Sequence, residues 1–270
     1  MYINIMNGSL YYEVIGKGTP ILMIHGFGVD MTVMKGCMEP YFCNSSKSFK
    51  RIYIDLPGMG KSKNYDSITT ADSILKLLLE FIDAVIDDKA FLLAGESYGG
   101  YLSRGILSAL PSSVLGMLFI CPVVYPEQAK RDLPANTINI KNLELWDRLN
   151  TDERKMFTSE FHLFDDSTYK RGLREVFSGN QNADKTLLKQ ISAHYSFTDW
   201  FTEPTFKGPT LFLTGKQDNV VGYKDTFSLM DNYKTSTYAA LYGSGHNLQI
   251  EKPRVFNTLL SEWLDEVSYK

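Results

Sequence analysis

The stretch AFLLAGESYGGYL, Ala90 to Leu102, constrains the fold more than any other part of the chain. An apolar run with strand character, Ala90–Ala94, leads straight into Gly95-Glu96-Ser97-Tyr98-Gly99. A helical pattern from Tyr98 to Leu110 starts at once and stops at Pro111, which has no backbone N–H to continue it. So tight a turn from strand to helix crowds side chains two residues either side of its apex, and glycines stand at both places. Ser97 is therefore predicted to project from the turn, exposed and strained. The Tyr98 N–H and the positive end of the helix dipole would then face any negative oxygen formed beside it. The plainer alternative is a glycine-bracketed serine in an ordinary strand-to-helix turn.

Short apolar strands alternate with amphipathic helices over the first 122 residues, the pattern of βαβ units and a mostly parallel sheet. The spacing predicts strands at Leu10–Ile15, Pro20–His25, Arg51–Asp55, Ala90–Ala94 and Leu115–Cys121. Ile74, Leu77, Leu78, Phe81, Ile82 and Val85 recur at helical spacing on one face. From Pro122 to Thr205 strands vanish, and helices are predicted over Asn142–Leu149, Asp152–Phe164, Thr168–Phe177 and Ala183–Tyr195. Ser167 suits an N-cap and Gly179 the far end of the same helix. Strand character resumes at Thr210–Thr214 and Ser236–Leu241, before a last helix with Phe256, Leu259, Leu260, Trp263, Leu264 and Val267 on its apolar face. This division predicts one core from residues 1–122 and 206–270, interrupted by a helical insertion at 123–205.

PGMGKS, Pro57 to Ser62, follows the third predicted strand and has the ending of a phosphate-binding loop. The position where such a loop needs its first glycine is Asp55, whose charge would oppose an anion, and Pro57 removes a donor. A nucleotide-binding role is set aside on this ground. A formal net charge of −3 advertises no surface for nucleic acid. Cys37, Cys43 and Cys121 form no CxxC pair, so reduced thiols are expected, with a Cys37–Cys43 bridge as the alternative. The N-terminal MYINIMNGSLYYEVIG lacks the basic start and apolar block of a signal peptide, and runs such as ILMI and MLFIC are too short to cross a bilayer. A cytoplasmic protein with no membrane span is expected, and a homodimer is allowed.

A serine hydroxyl becomes a useful nucleophile when a base takes its proton and an acid orients the base. Of the four histidines, His246 lies in a Gly-Ser-Gly-His-Asn loop between a strand and the last helix, whereas His162 and His194 fall in the helical insertion as ordinary helix residues. Asp218 follows the strand Thr210–Thr214 and is the candidate acid; Asp225 and Glu251 read as helix-start charges. In ILMIHGFGVD, Gly26 and Gly28 let the backbone approach a substrate, leaving the Phe27 N–H to act beside that of Tyr98 as an oxyanion donor. His25 has no second ligand at metal spacing and is read as fixing this loop. No metal and no cofactor are expected.

With HGFG, DLPGMGKS, GESYGG, a late acid and GSGHN in that order, nearly the whole chain resembles the α/β-hydrolase superfamily, and within it the cap-bearing hydrolases. The resemblance implies an α/β-hydrolase fold: a mostly parallel sheet with helices on both faces and a helical cap over 123–205. PGMGKS then resembles a turn that shapes the loops near the site. It also implies Ser97, Asp218 and His246 as a catalytic triad acting through an acyl-enzyme, and a Phe27/Tyr98 oxyanion hole. Ser97 stands where dehalogenases and epoxide hydrolases carry aspartate, and the DLPGMGKS segment departs from the prolyl aminopeptidase pattern. The expected activity is hydrolysis of a small, partly apolar carboxylester or thioester. The alternatives are a C–C bond hydrolase or a ligand-binding protein that keeps the fold without turnover. Trp146, Phe157, Phe161, Phe164, Trp200 and Phe201 of the insertion could line an apolar site or form the insertion's own core, and Met23, Met31, Met34 and Met38 could line a pocket or fill gaps.

Overall fold

The computed structural model describes residues 1–87, 89–198, 203 and 205–268. Its strands are β1 (Tyr2–Ile5), β2 (Gly8–Ile15), β3 (Thr19–Ile24), β4 (Phe49–Ile54), β5 (Phe91–Glu96), β6 (Val114–Ile120), β7 (Asn139–Ile140), β8 (Leu163–Phe164), β9 (Thr210–Gly215) and β10 (Ser236–Leu241). Its α-helices are α1 (Thr32–Phe42), α2 (Ala71–Ile86), α3 (Tyr98–Ala109), α4 (Leu143–Arg148), α5 (Thr151–Glu160), α6 (Asp166–Gly172), α7 (Ser178–Asn182), α8 (Lys185–Ala193), α9 (Lys224–Phe227), α10 (Leu248–Glu251) and α11 (Pro253–Ser268).

Eight strands form one sheet in the order β1-β2-β4-β3-β5-β6-β9-β10. The pairings β1–β2 and β2–β4 are antiparallel and all the others are parallel. β5 and β9 are buried along their whole length, as parallel strands are when helices cover both faces of a sheet. The predicted apolar face of α2 is buried against the sheet, and the Thr70 hydroxyl caps that helix by accepting from Ser73 N. The parallel order brings the C-terminal ends of β3, β5, β9 and β10 to one edge. The loops after these four strands carry the candidate residues.

Three expectations for the stretch between β6 and β9 need correction. The predicted helix 152–164 ends at Glu160, and Leu163–Phe164 pairs with Asn139–Ile140 as a short parallel ladder, so strands do occur there. Asp165, two residues before the expected Ser167, caps α6 by accepting from Thr168 N. Gly179 does not end the helix: the helical run passes through a π-turn at Leu173–Phe177 into α7. There a Cβ on Gly179 would come within 2.9 Å of Asp30 N, so close packing on the 29–30 loop, not termination, requires glycine. The sequence reading also missed α1, which contains Gly36 and Pro40.

Phe157, Phe161 and Phe164 are fully buried and pack on one another and on Phe177, and the Trp146 ring meets Phe164 edge-on. These aromatics are core; Trp200 and Phe201 lie outside the described residues. Met23, Met31, Met34 and Met38 are buried in the main core. All three cysteines are free thiols. PGMGKS wraps around a carboxylate: Asp55 accepts from Met31 N at 2.9 Å and Lys61 N at 2.8 Å, while the Lys61 ammonium sits 4.6 Å from the centroid of the Tyr11 ring. Among the described residues no helix is long and apolar enough to cross a membrane.

Candidate active site

Ser97 joins β5 to α3 with φ at +51°, a conformation L-residues seldom adopt and one the flanking glycines permit. A Cβ on Gly95 would lie 2.6 Å from Gly99 O, and one on Gly99 would overlap the backbone of Ile24. The predicted strain is therefore present, but the predicted exposure is not. Ser97 is only 8% exposed and lines a pocket of about 190 Å³. The turn does lift the side chain off the sheet, and residues from the β6–β9 stretch, among them Glu160 and Tyr195, line the pocket beside it.

His246, in the loop after β10, places Nε2 3.0 Å from Ser97 Oγ and Nδ1 2.9 Å from Asp218 Oδ2. Asp218 follows β9, and its Oδ1 accepts from Val220 N at 2.9 Å and Val221 N at 3.0 Å, which fixes the carboxylate's orientation. Burial would raise the Asp218 pKa, but the charge and hydrogen bond of His246 outweigh it and hold the group below its ordinary value. Burial likewise pulls His246 down, and Asp218, Glu96 and Glu160 together overcome it, lifting the imidazole to about 9. Cys121 Sγ, an Asp218 oxygen and a His246 nitrogen lie within 4.8 Å of one another, a spacing that could hold a metal ion. Burial keeps that thiol protonated, however, and Asp218 and His246 are already bonded to each other.

Phe27 lines the pocket with Ser97, Tyr98 follows Ser97 in the chain, and the N–H of neither is a donor in a backbone hydrogen bond outside helices and strands among the described residues. Phe27 is held by edge-on ring contacts with Tyr98 and Tyr195, at 5.6 and 5.3 Å between centroids. His25 is buried; its Nε2 accepts from Leu56 N at 3.0 Å and its Nδ1 donates to Gly26 O at 2.7 Å, tying the loop after β3 to the loop after β4. His162 and His194 do not line the cavity.

Sequence reasoning missed four polar contributors. Glu96, Glu160 and Arg131 line the cavity with Ser97 and His246. Glu251 does lie in the single turn of α10, yet its buried carboxylate accepts from Gly245 N, His162 N and Leu163 N at 2.6, 2.7 and 2.6 Å. It thus ties the His246 loop to the segment between α5 and β8. Glu96 was in plain view inside the serine motif. Nothing local marks Glu160, Arg131 or Glu251, because their partners come from distant parts of the chain.

A sheet whose strand ends gather a strained serine, an imidazole and a buried aspartate defines an α/β hydrolase. The sequence model of the alpha/beta hydrolase family matches residues 21–259, and the chain belongs to that family. A crystal structure of an alpha/beta superfamily hydrolase from Oenococcus oeni PSU-1 is 30% identical, covers 96% of each chain and superposes with a TM-score of 0.87. The AB hydrolase superfamily protein YisY of Bacillus subtilis is 23% identical over 94% of this chain and 95% of its own length. The 2-hydroxy-6-oxo-6-(2'-aminophenyl)hexa-2,4-dienoic acid hydrolase of Metapseudomonas resinovorans is 24% identical over 96% of this chain and 89% of its own.

Proposed function

We propose that this protein is a serine hydrolase that cleaves a small carboxylester or thioester through an acyl-enzyme. The observation that carries the reading is the unbroken relay from Ser97 Oγ through His246 to Asp218, at 3.0 and 2.9 Å inside a cavity. His246 Nε2 takes the Ser97 proton as the oxygen attacks the acyl carbon, and Asp218 keeps the other imidazole proton on Nδ1. The tetrahedral oxyanion forms between the Phe27 and Tyr98 N–H groups, and each such donor contributes on the order of 10²–10³ in turnover. His246 then protonates the leaving group, and water repeats the attack to free the acid and restore Ser97.

Residues 123–205 act as the cap in this reading. Glu160 and Tyr195 line the pocket from that side, and Arg171 ties the segment to the core by donating to Gly36 O at 3.0 Å and Gln249 O at 3.2 Å. The cavity of about 190 Å³ favours a small acyl group. C–C bond hydrolysis is the second reading, supported by the relative named for hydrolysing a hexadienoic acid. The test is labelling by an active-site phosphonate, with hydrolysis of p-nitrophenyl acetate. Stoichiometric labelling of Ser97 and loss of both signals in Ser97→Ala are expected. A folded protein that leaves Ser97 unlabelled overturns the reading in favour of a binding protein.

A further inference from the structure

The polar lining of the cavity is lopsided. Glu96 is 3% exposed; its Oε1 lies 3.7 Å from His246 Nε2, and its Oε2, packed against Gly26, completes no hydrogen bond of ordinary geometry. Glu160, the last residue of α5, is held beside the His246 loop by its carbonyl, which accepts from Asn247 Nδ2 at 3.0 Å. Its carboxyl makes no hydrogen bond or ion pair among the described residues. The guanidinium in the lining, Arg131, donates to the carbonyls of Tyr125, Pro126 and Val220 and pairs with neither acid.

We propose that Glu96 and Glu160 form a cation subsite beside Ser97, which selects acyl substrates bearing an ammonium group next to the scissile carbonyl. The proposal rests on Ser97 being the nucleophile and names the substrate class of that site. Buried carboxyls without counter-charges are costly, and proteins pair them or leave them protonated. Here Asp218 and Glu96 stand 2.9 and 3.7 Å from one imidazole and the half-buried Glu160 lines the same pocket; burial pushes Glu96 up to about 7 and raises Glu160 above its ordinary value. The charge nearest to compensating them is the extra proton on His246, the one that must leave before His246 can act as a base. An ammonium seated between Glu96 and Glu160 takes over that role and lets the imidazole become neutral. A neutral acyl group leaves the imbalance in place, and a carboxylate worsens it.

Three ethyl esters of nearly one shape provide the test: glycine ethyl ester, ethyl propionate and monoethyl malonate carry an ammonium, a methyl and a carboxylate at the same place. They are compared by pH-stat at about pH 6.5, below the ordinary α-amino range. Glycine ethyl ester should exceed ethyl propionate in kcat/KM by roughly tenfold or more, with monoethyl malonate slowest. In Glu160→Gln and Glu96→Gln the glycine-to-propionate ratio should fall toward one. Separately, ethylammonium should change the rate of phosphonate labelling of Ser97, by freeing the base or by filling the acyl site, more than ethanol does, a measurement that needs no ester turnover. Equal or better use of ethyl propionate, preference for the malonate, or an equal effect of ethanol on labelling overturns the subsite while the nucleophile reading stands. An unlabelled Ser97 overturns the nucleophile reading and the subsite together.

Discussion

Oε1 of Glu96 stands 3.7 Å from Nε2 of His246, the nitrogen that also faces Ser97 Oγ at 3.0 Å. A carboxylate so close to the base stabilises imidazolium, so it keeps the resting histidine protonated, and unable to act as a base, up to higher pH.

The pH profile should show this. With His246 lifted to about 9, kcat/KM for an uncharged ester should rise with pH until His246 is deprotonated near that value. Glu96→Gln removes a negative charge, disfavours imidazolium and should move the rising limb to lower pH by about one to two units. A limb that stays in place in this variant excludes the electrostatic role of Glu96.

Asp218→Asn should keep the fold and lose on the order of 10⁴ in kcat, because a carboxamide that donates to Nδ1 leaves the wrong nitrogen carrying the proton. Circular dichroism and p-nitrophenyl acetate kinetics on the same preparation separate misfolding from a tautomer effect.

Glu251→Gln should lower stability by about 1–3 kcal/mol, since one amide oxygen replaces a carboxylate that serves three backbone donors. Burial raises this carboxyl to about 7 in the folded protein, above its ordinary value. The native state therefore holds more protons than the unfolded chain between about pH 4.5 and 7, and the contribution of Glu251 falls as pH rises through that window. Glu96 acts with the same sign. Urea titrations at several pH values should show a shallower decline for the variant than for the wild type.

Gly215→Ala should be severe, about 3 kcal/mol or more, because a Cβ at the end of β9 would overlap the carbonyl of Gly245. That contact presses the His246 loop onto the strand leading to Asp218, so activity should fall along with thermal stability.

Arg171→Ala should cost about 3 kcal/mol by leaving the buried Glu175 with Arg174 as its remaining ion-pair partner. It also removes the guanidinium's two hydrogen bonds to core carbonyls. Limited proteolysis should cut within residues 123–205 sooner in the variant than in the wild type.

Much of this arrangement was legible along the chain because it depends on neighbours in sequence. Gly95 and Gly99 around Ser97 encode a steric requirement of one turn, and the apolar spacing of Ile74 to Val85 encodes one helix face. The strand ends that place Ser97, Asp218 and His246 follow from the order of βα units, and the structure brings those three side chains together as that order implies. Helix ends were less legible: α5 stops at Glu160 because Leu163 N and His162 N turn to a carboxylate 88 and 89 residues away.

The sequence by itself determined the sheet, the strained serine turn and the identity of the relay, since each follows from local sterics or from strand order. Only the tertiary structure decided that Ser97 is covered, that Glu251 fastens two loops, and that Glu96 and Glu160 share a cavity with His246 while Arg131 bonds elsewhere. The charge state of a carboxyl depends on what packs around it, and for these acids the surroundings come from segments far apart in the chain.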